Sequence, residues 1–177
     1  MADTVRERST LIGILADNST QNISEQDDRD VLVSIMGVYA QLYLTAGATA
    51  QSVDTSWATL DWVAGANGLE DAADADYTAD RISIGSGAGG VWQLHFQATF
   101  TGTASTEFAF KLAVNGTRQD RASCKATLDA SGNAASCSFT ALVQLAAGDL
   151  VTVQVSANGA SKSITPREMQ LVAKRVA

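Results

Sequence analysis

Between positions 91 and 100 the chain reads VWQLHFQATF, and apolar and polar side chains alternate without a break. Trp92, Leu94, Phe96, Ala98 and Phe100 fall on one side, with Gln93, His95, Gln97 and Thr99 on the other. Successive side chains of a strand point to opposite faces, so a period of two predicts a strand with one face in a core. The same alternation recurs in EFAFKLAV at 107–114, SFTALVQL at 138–145 and LVTVQVSA at 150–157. Further strands are expected at 38–44, 57–63, 81–84 and about 169–176, the last following Pro166. Asn115-Gly116 is a strong hairpin signal, and AAGD at 146–149 reads as a second turn. The stretch 46–56 reads as a loop or a weak edge strand, and 65–76, GANGLEDAADAD, as a polar, acidic loop. Eight to ten short antiparallel strands separated by turns predict an all-β sandwich.

The first 36 residues follow a different period. Ser24 is suited to cap a helix, Glu25, Asp27 and Asp28 suit its first turn, and Gly37 suits its end. Val31, Leu32, Ile35 and Met36 then make an apolar stripe at helical spacing, which predicts a helix over 24–36. Leu11, Ile12 and Leu15 suggest a shorter amphipathic piece, ended by the turn-prone DNST at 17–20. Stripes this small do not make an independent core, so they are expected to dock on the head, on sister chains or on another protein. The expected division is an α-helical anchoring arm at 1–36 and a β-sandwich head at 37–177.

Charge and composition then narrow the function. A net charge of −7 argues against a nucleic-acid partner, because phosphate binding needs a basic stripe. No apolar run approaches the roughly 20 residues that span a bilayer, and the charged MADTVRERST stands where a secretory signal needs apolar residues. The expectation is therefore no membrane partner, and synthesis in a cytoplasm.

Candidate chemistry is sparse. His95 is the single histidine, so a multi-histidine metal centre is excluded. A Ser-His-Asp triad lacks its nucleophile elbow, and GSGAGG at 85–90 lacks the Lys and Ser/Thr of a phosphate loop. Asp71, Asp74 and Asp76 lack the order and the bidentate Glu of a calcium loop, which favours a solvated segment. No catalytic residue, metal or cofactor is expected, and the chain reads as a non-enzyme. Cys124 and Cys137 flank a turn centred on Asp129, Ser131 and Gly132. If Asp129 pairs with Gly132, an antiparallel register puts the two cysteines opposite each other. They then form either a disulfide or two small buried hydrophobes in a reducing cell.

The strand sequences also carry a resemblance. GVWQLHFQATF, FKLAVNG and FTALVQLAAGDLVTVQVSANG are similar to successive strands of the TNF-like and complement-globular-head jelly roll. The likeness covers 77–177 well and extends to 38–64 as opening strands. ILADNSTQNISEQDDRDVLVSI, at 14–35, resembles a segment of tailed-bacteriophage structural proteins that precedes a small helix and a β-rich head. Together these imply a homotrimeric virion protein, with one sheet face of each jelly roll around a three-fold axis. The uncharged Gln93, His95, Gln97 and Thr99 are the interface candidates, and the competing reading leaves them facing water. The expected role is a capsid decoration or cement protein whose arm binds the major capsid protein or another virion protein. The alternative is the receptor-binding head of a tail or head fibre, recognising host surface glycan through loops at 65–76 and 129–135.

Overall fold

The computed structural model describes residues 38–44, 49–62, 66–71, 73–76 and 80–176, with the backbone alone described in 66–71 and 73–76. Every regular element among them is a strand: β1 (Tyr39–Leu44), β2 (Gln51–Val53), β3 (Ala58–Thr59), β4 (Ala66–Asp71), β5 (Ala73–Asp76), β6 (Arg81–Ile84), β7 (Gly90–Gly102), β8 (Glu107–Val114), β9 (Thr117–Thr127), β10 (Ala135–Leu145), β11 (Leu150–Ala157) and β12 (Lys162–Arg175). The arm expected over 1–36, with its helix and with Leu11, Ile12, Leu15, Val31, Leu32, Ile35 and Met36, lies outside the described residues.

The strands form two antiparallel sheets packed face to face. Sheet A runs β10-β7-β12-β1-β4, with β2 also pairing β12. Sheet B runs β5-β6-β11-β8-β9, with β3 also pairing β11. Chain neighbours such as β10 and β11 belong to different sheets, so the connections cross repeatedly between layers and produce a jelly roll.

The alternation seen at 91–100 explains the packing. Trp92, Leu94, Phe96, Ala98 and Phe100 are all buried, as are Phe108, Phe110 and Leu112 of β8 and Val151, Val153 and Val155 of β11. Phe96 of sheet A meets Phe110 of sheet B with ring centres 5.6 Å apart, and Phe100 meets Phe108 at 5.7 Å and Phe110 at 5.2 Å. Each ring removes on the order of 150–250 Å² from water, so this aromatic column is the main bond between the sheets. Trp92 is fully buried, and its indole N–H donates to the Ala88 carbonyl at 3.0 Å, which removes the cost of burying that donor.

Local chemistry sets the turns. Asn115 and Gly116 both take positive φ, 49° and 78°, the pairing that a type I′ hairpin between β8 and β9 requires. Pro166 lies inside β12 rather than before it, at a register shift between Pro166 and Glu168 against β7. A bulge accommodates the missing amide donor there, and the strand starts seven residues earlier than the apolar pattern suggests.

Three sequence expectations are corrected. The strand expected over 57–63 is reduced to Ala58–Thr59, because the chain then dives so that Leu60 and Trp62 are buried. The acidic loop expected over 65–76 instead contributes the edge strands β4 and β5; edge positions tolerate polar, charged sequence because one side stays open. Asp129 and Gly132 do close a turn, with the Gly132 N–H donating to the Asp129 carbonyl at 3.1 Å. However, the flanking strands do not pair: β9 joins β8 in sheet B and β10 joins β7 in sheet A.

Candidate functional site

The outward face of sheet A gathers the interface candidates of β7 together with side chains from three neighbouring strands. The register puts them in rows across the sheet. Leu142, Gln93, Lys174 and Tyr39 form one row, and Thr140, His95, Val172 and Gln41 the next. Ser138, Gln97, Gln170 and Tyr43 form the third, followed by Ser136, Thr99 and Glu168. The four strands alternate in phase, which is why one face is apolar and internal and the other is a continuous polar surface.

Side-chain bonds stitch these rows together. His95 Nδ1 lies 2.9 Å from Thr140 Oγ1, Gln97 donates to Gln170 Oε1 at 3.2 Å, and Thr99 Oγ1 lies 2.9 Å from Ser136 Oγ. All four β7 candidates thus share one surface, and three of them bond a neighbouring strand. On β10, β7, β12 and β1 the formal charges in these rows are Lys174 and Glu168, at opposite ends of the face, and beyond Tyr39 the register continues the first row to Asp71 of β4. Two shallow depressions of about 300 and 260 Å³ share Gln97 and Glu168 in their lining.

Apolar exposure is concentrated here too. Among the described residues the exposed large hydrophobics are Tyr39 at 44%, Leu142 at 69% and Val176 at 48%. Leu142, on the edge strand β10, and Tyr39, on β1 beside the edge strand β4, belong to a single row. Val176 follows β12 at that same end of the sheet, its N–H donating to the Val91 carbonyl at 2.8 Å. Sequence reasoning found the β7 residues and missed Leu142, Tyr39 and Val172. Their alternation was visible, but the order of strands in the sheet, which makes them neighbours, was not.

Cys124 and Cys137 do come together, by a route other than a paired hairpin. Each points inward from an edge strand, Cys124 from β9 and Cys137 from β10, and their sulfurs lie 2.8 Å apart across the open side of the sandwich. Both are half-buried free thiols. The Cys124 sulfur beside it, reinforced by burial, pushes the Cys137 thiol up from its ordinary value. Thiolate character is therefore suppressed, the opposite of what a nucleophilic or metal-binding cysteine needs.

No nucleophile, acid and base converge elsewhere among the described residues, and no group of three metal-ligating side chains is found among them. Residues 71, 74 and 76 lie on the backbone of β4 and β5, not in a loop.

Comparison with known proteins supports the fold. No protein-family model matches the sequence, and no curated protein matches it. Solved structures do match. An Eiger TNF from S. frugiperda aligns with a TM-score of 0.58 at 15% identity, covering 80% of this chain and 94% of its own. PRD1 vertex protein P5 aligns with a TM-score of 0.55 at 11% identity, covering 79% of this chain and 73% of its own. Murine APRIL aligns with a TM-score of 0.51 at 18% identity, covering 79% of this chain and 99% of its own. The described head is therefore a TNF-like jelly roll, the fold that the strand motifs at 90–100, 110–116 and 139–159 resemble.

Proposed function

We propose that the chain is a trimeric structural head of a virion, of the capsid decoration or cement type, and carries out no catalysis. The observation that carries this reading is the outward face of sheet A, uncharged across its middle, cross-bonded and flanked by exposed Leu142 and Tyr39. An ordinary solvated sheet face is not so poor in charge, whereas a wet interface between subunits is polar and uncharged at its centre. Leu142, on the edge strand β10, and Tyr39, on β1 toward the β4 edge, lie on opposite sides of the face, so different sides of it meet when copies pack head to tail. A heterologous contact of this kind closes into a ring when its rotation is 120°. The TNF-like fold supports the trimer, and the PRD1 vertex protein of the same fold supports the virion setting.

In this reading residues 1–36 dock on the major capsid protein or another virion protein, and the jelly roll projects outward. The particle assembles from chains made in the host cytoplasm. Native mass spectrometry of the full chain tests the first part: a trimer is expected, and a monomer at micromolar concentration overturns it. Cosedimentation with purified capsids tests the second part. The full chain is expected in the capsid pellet and a chain lacking 1–36 in the supernatant. Equal pelleting of both removes the anchoring role of the arm.

A further inference from the structure

We infer that the opposite face of the molecule, on sheet B around Trp57, is a binding site for a carboxylate-bearing saccharide. This goes beyond the structural role above and does not depend on the oligomeric state. The chain has three tryptophans. Trp62 and Trp92 are fully buried in the core, and Trp57 is not. It lies just before β3, at the rim of sheet B, and its ring lies under cationic side chains of β8 and β9. Lys111 Nζ lies 5.5 Å from the ring centre and the Arg118 guanidinium carbon 5.8 Å from it. Lys111 pairs with Asp120 at 2.7 Å, and Arg118 donates to Gln154 Oε1 at 3.4 Å. Lys111 and Gln154 are direct register partners, so strand pairing spaces the donors around the indole.

The charge of this patch runs against that of the whole chain. β9 carries Arg118, Arg121 and Lys125; Lys125 pairs with Glu107 of β8 at 3.2 Å and Lys111 with Asp120, which leaves Arg118 and Arg121 in excess in a protein of net charge −7. The Asp120 side chain is 89% exposed, and an ion pair so open to water is weak and exchangeable. An incoming carboxylate therefore takes over Lys111 at little cost and also reaches Arg118. With Lys111 and Arg118 drawn off the ring to that carboxylate, the indole suits a pyranose, whose C–H face packs on the ring while its hydroxyls bond Gln154. A uronic or sialic residue supplies both the apolar ring face and the carboxylate. A simple anion lacks the first and a neutral hexose the second.

The test uses the full chain and tryptophan emission, with a glucuronate-containing oligosaccharide and its uncharged glucose counterpart as probes. Because Trp62 and Trp92 are shielded, a ligand at Trp57 is expected to change emission saturably without altering the far-ultraviolet dichroism. The acidic probe is expected to bind at least tenfold more tightly than the neutral one. Calorimetry with Trp57→Ala and Lys111→Gln is expected to show at least a tenfold loss in each. Asp120→Asn removes the competing carboxylate and is expected to tighten binding severalfold. No saturable change with the acidic probe, equal affinity for the neutral one, or weaker binding by Asp120→Asn overturns the proposal; in that event the two cations only cap the indole.

Discussion

Asn115 and Asp149, 34 residues apart, tie two turns of the jelly roll together: the Asn115 amide donates to Asp149 Oδ1 at 2.7 Å. The Asn115 side-chain oxygen accepts the Leu150 N–H at 2.9 Å, and Asp149 Oδ2 accepts the Ala146 N–H at 2.8 Å. The β8–β9 turn and the turn before β11 thus satisfy each other's polar groups. Asn115→Asp keeps a residue tolerant of positive φ but sets two carboxylates in contact. It is expected to cost about 1–3 kcal/mol, the usual range for breaking a bond to a charged group. The exchanged pair, Asn115→Asp with Asp149→Asn, restores an amide–carboxylate bond and is expected to recover most of that loss in urea denaturation. Failure of the double variant to recover shows that the turns are held by something else.

Gly102 ends β7 where it crosses Ser163, and a Cβ added there runs into the Ser163 carbonyl oxygen. Gly132, at φ +68°, stacks on this point, since a Cβ on it comes 2.6 Å from the Gly102 carbonyl oxygen. Neither obstacle is a flexible side chain; both are backbone. Gly102→Ala is expected to destabilise the head by roughly 1–3 kcal/mol, as overpacking does. For a chain of this size that lowers Tm by about 2–4 °C per kcal/mol, readable by calorimetry. Gly148→Ala is the informative contrast: no atom crowds its added Cβ, so its cost comes from its φ of +87° alone.

The Cys124–Cys137 contact makes stability depend on pH in the alkaline range. The neighbouring Cys124 sulfur and burial hold the Cys137 proton in the folded state, while the unfolded chain releases it near the ordinary value of 9.0. The contribution of the thiol is complete below that value and falls as pH rises above it. It is gone once the folded thiol itself ionises. With reductant present, the wild type is expected to lose stability more steeply between pH 8.5 and 10 than Cys137→Ala. Parallel curves for the two contradict the assigned cause.

These two cysteines also show what a sequence reveals and what it hides. Long strands with one buried face announce themselves, because β7 and β8 cannot bury Phe96, Phe100, Phe108 and Phe110 without alternating. The turn at 129–132 is equally visible from its Asp and Gly. Which sheet each flanking strand joins is decided by long-range packing, and nothing near Cys124 or Cys137 encodes it. Short edge strands such as β3 to β5 bury too little for their period to stand out, so 65–76 reads as a loop. The outward face of sheet A is half legible for the same reason: Gln93, His95, Gln97 and Thr99 show the polarity, and only the β10-β7-β12-β1 order adds Leu142 and Tyr39.

If that face is the seam of a trimer, its chemistry dictates how the trimer responds to salt and to charge. An interface held by uncharged bonds and apolar contacts is little screened, although the Debye length shrinks from about 10 Å at 0.1 M salt to about 3 Å at 1 M. Trimer dissociation measured by analytical ultracentrifugation is therefore expected to change less than twofold between 0.1 and 1 M sodium chloride. Introducing charge at the centre has the opposite effect. Gln97 is exposed in the single chain and lies between Ser138 and Gln170 in its row, so Gln97→Glu perturbs the isolated head little. Near a three-fold axis, however, three carboxylates approach one another out of bulk water, and like charges brought together there destabilise assembly. The variant is expected to fold with wild-type dichroism and sediment as a monomer at neutral pH, and to reassemble as the pH falls through the carboxylate range. A Gln97→Glu chain that remains trimeric at pH 7 places the seam on another surface.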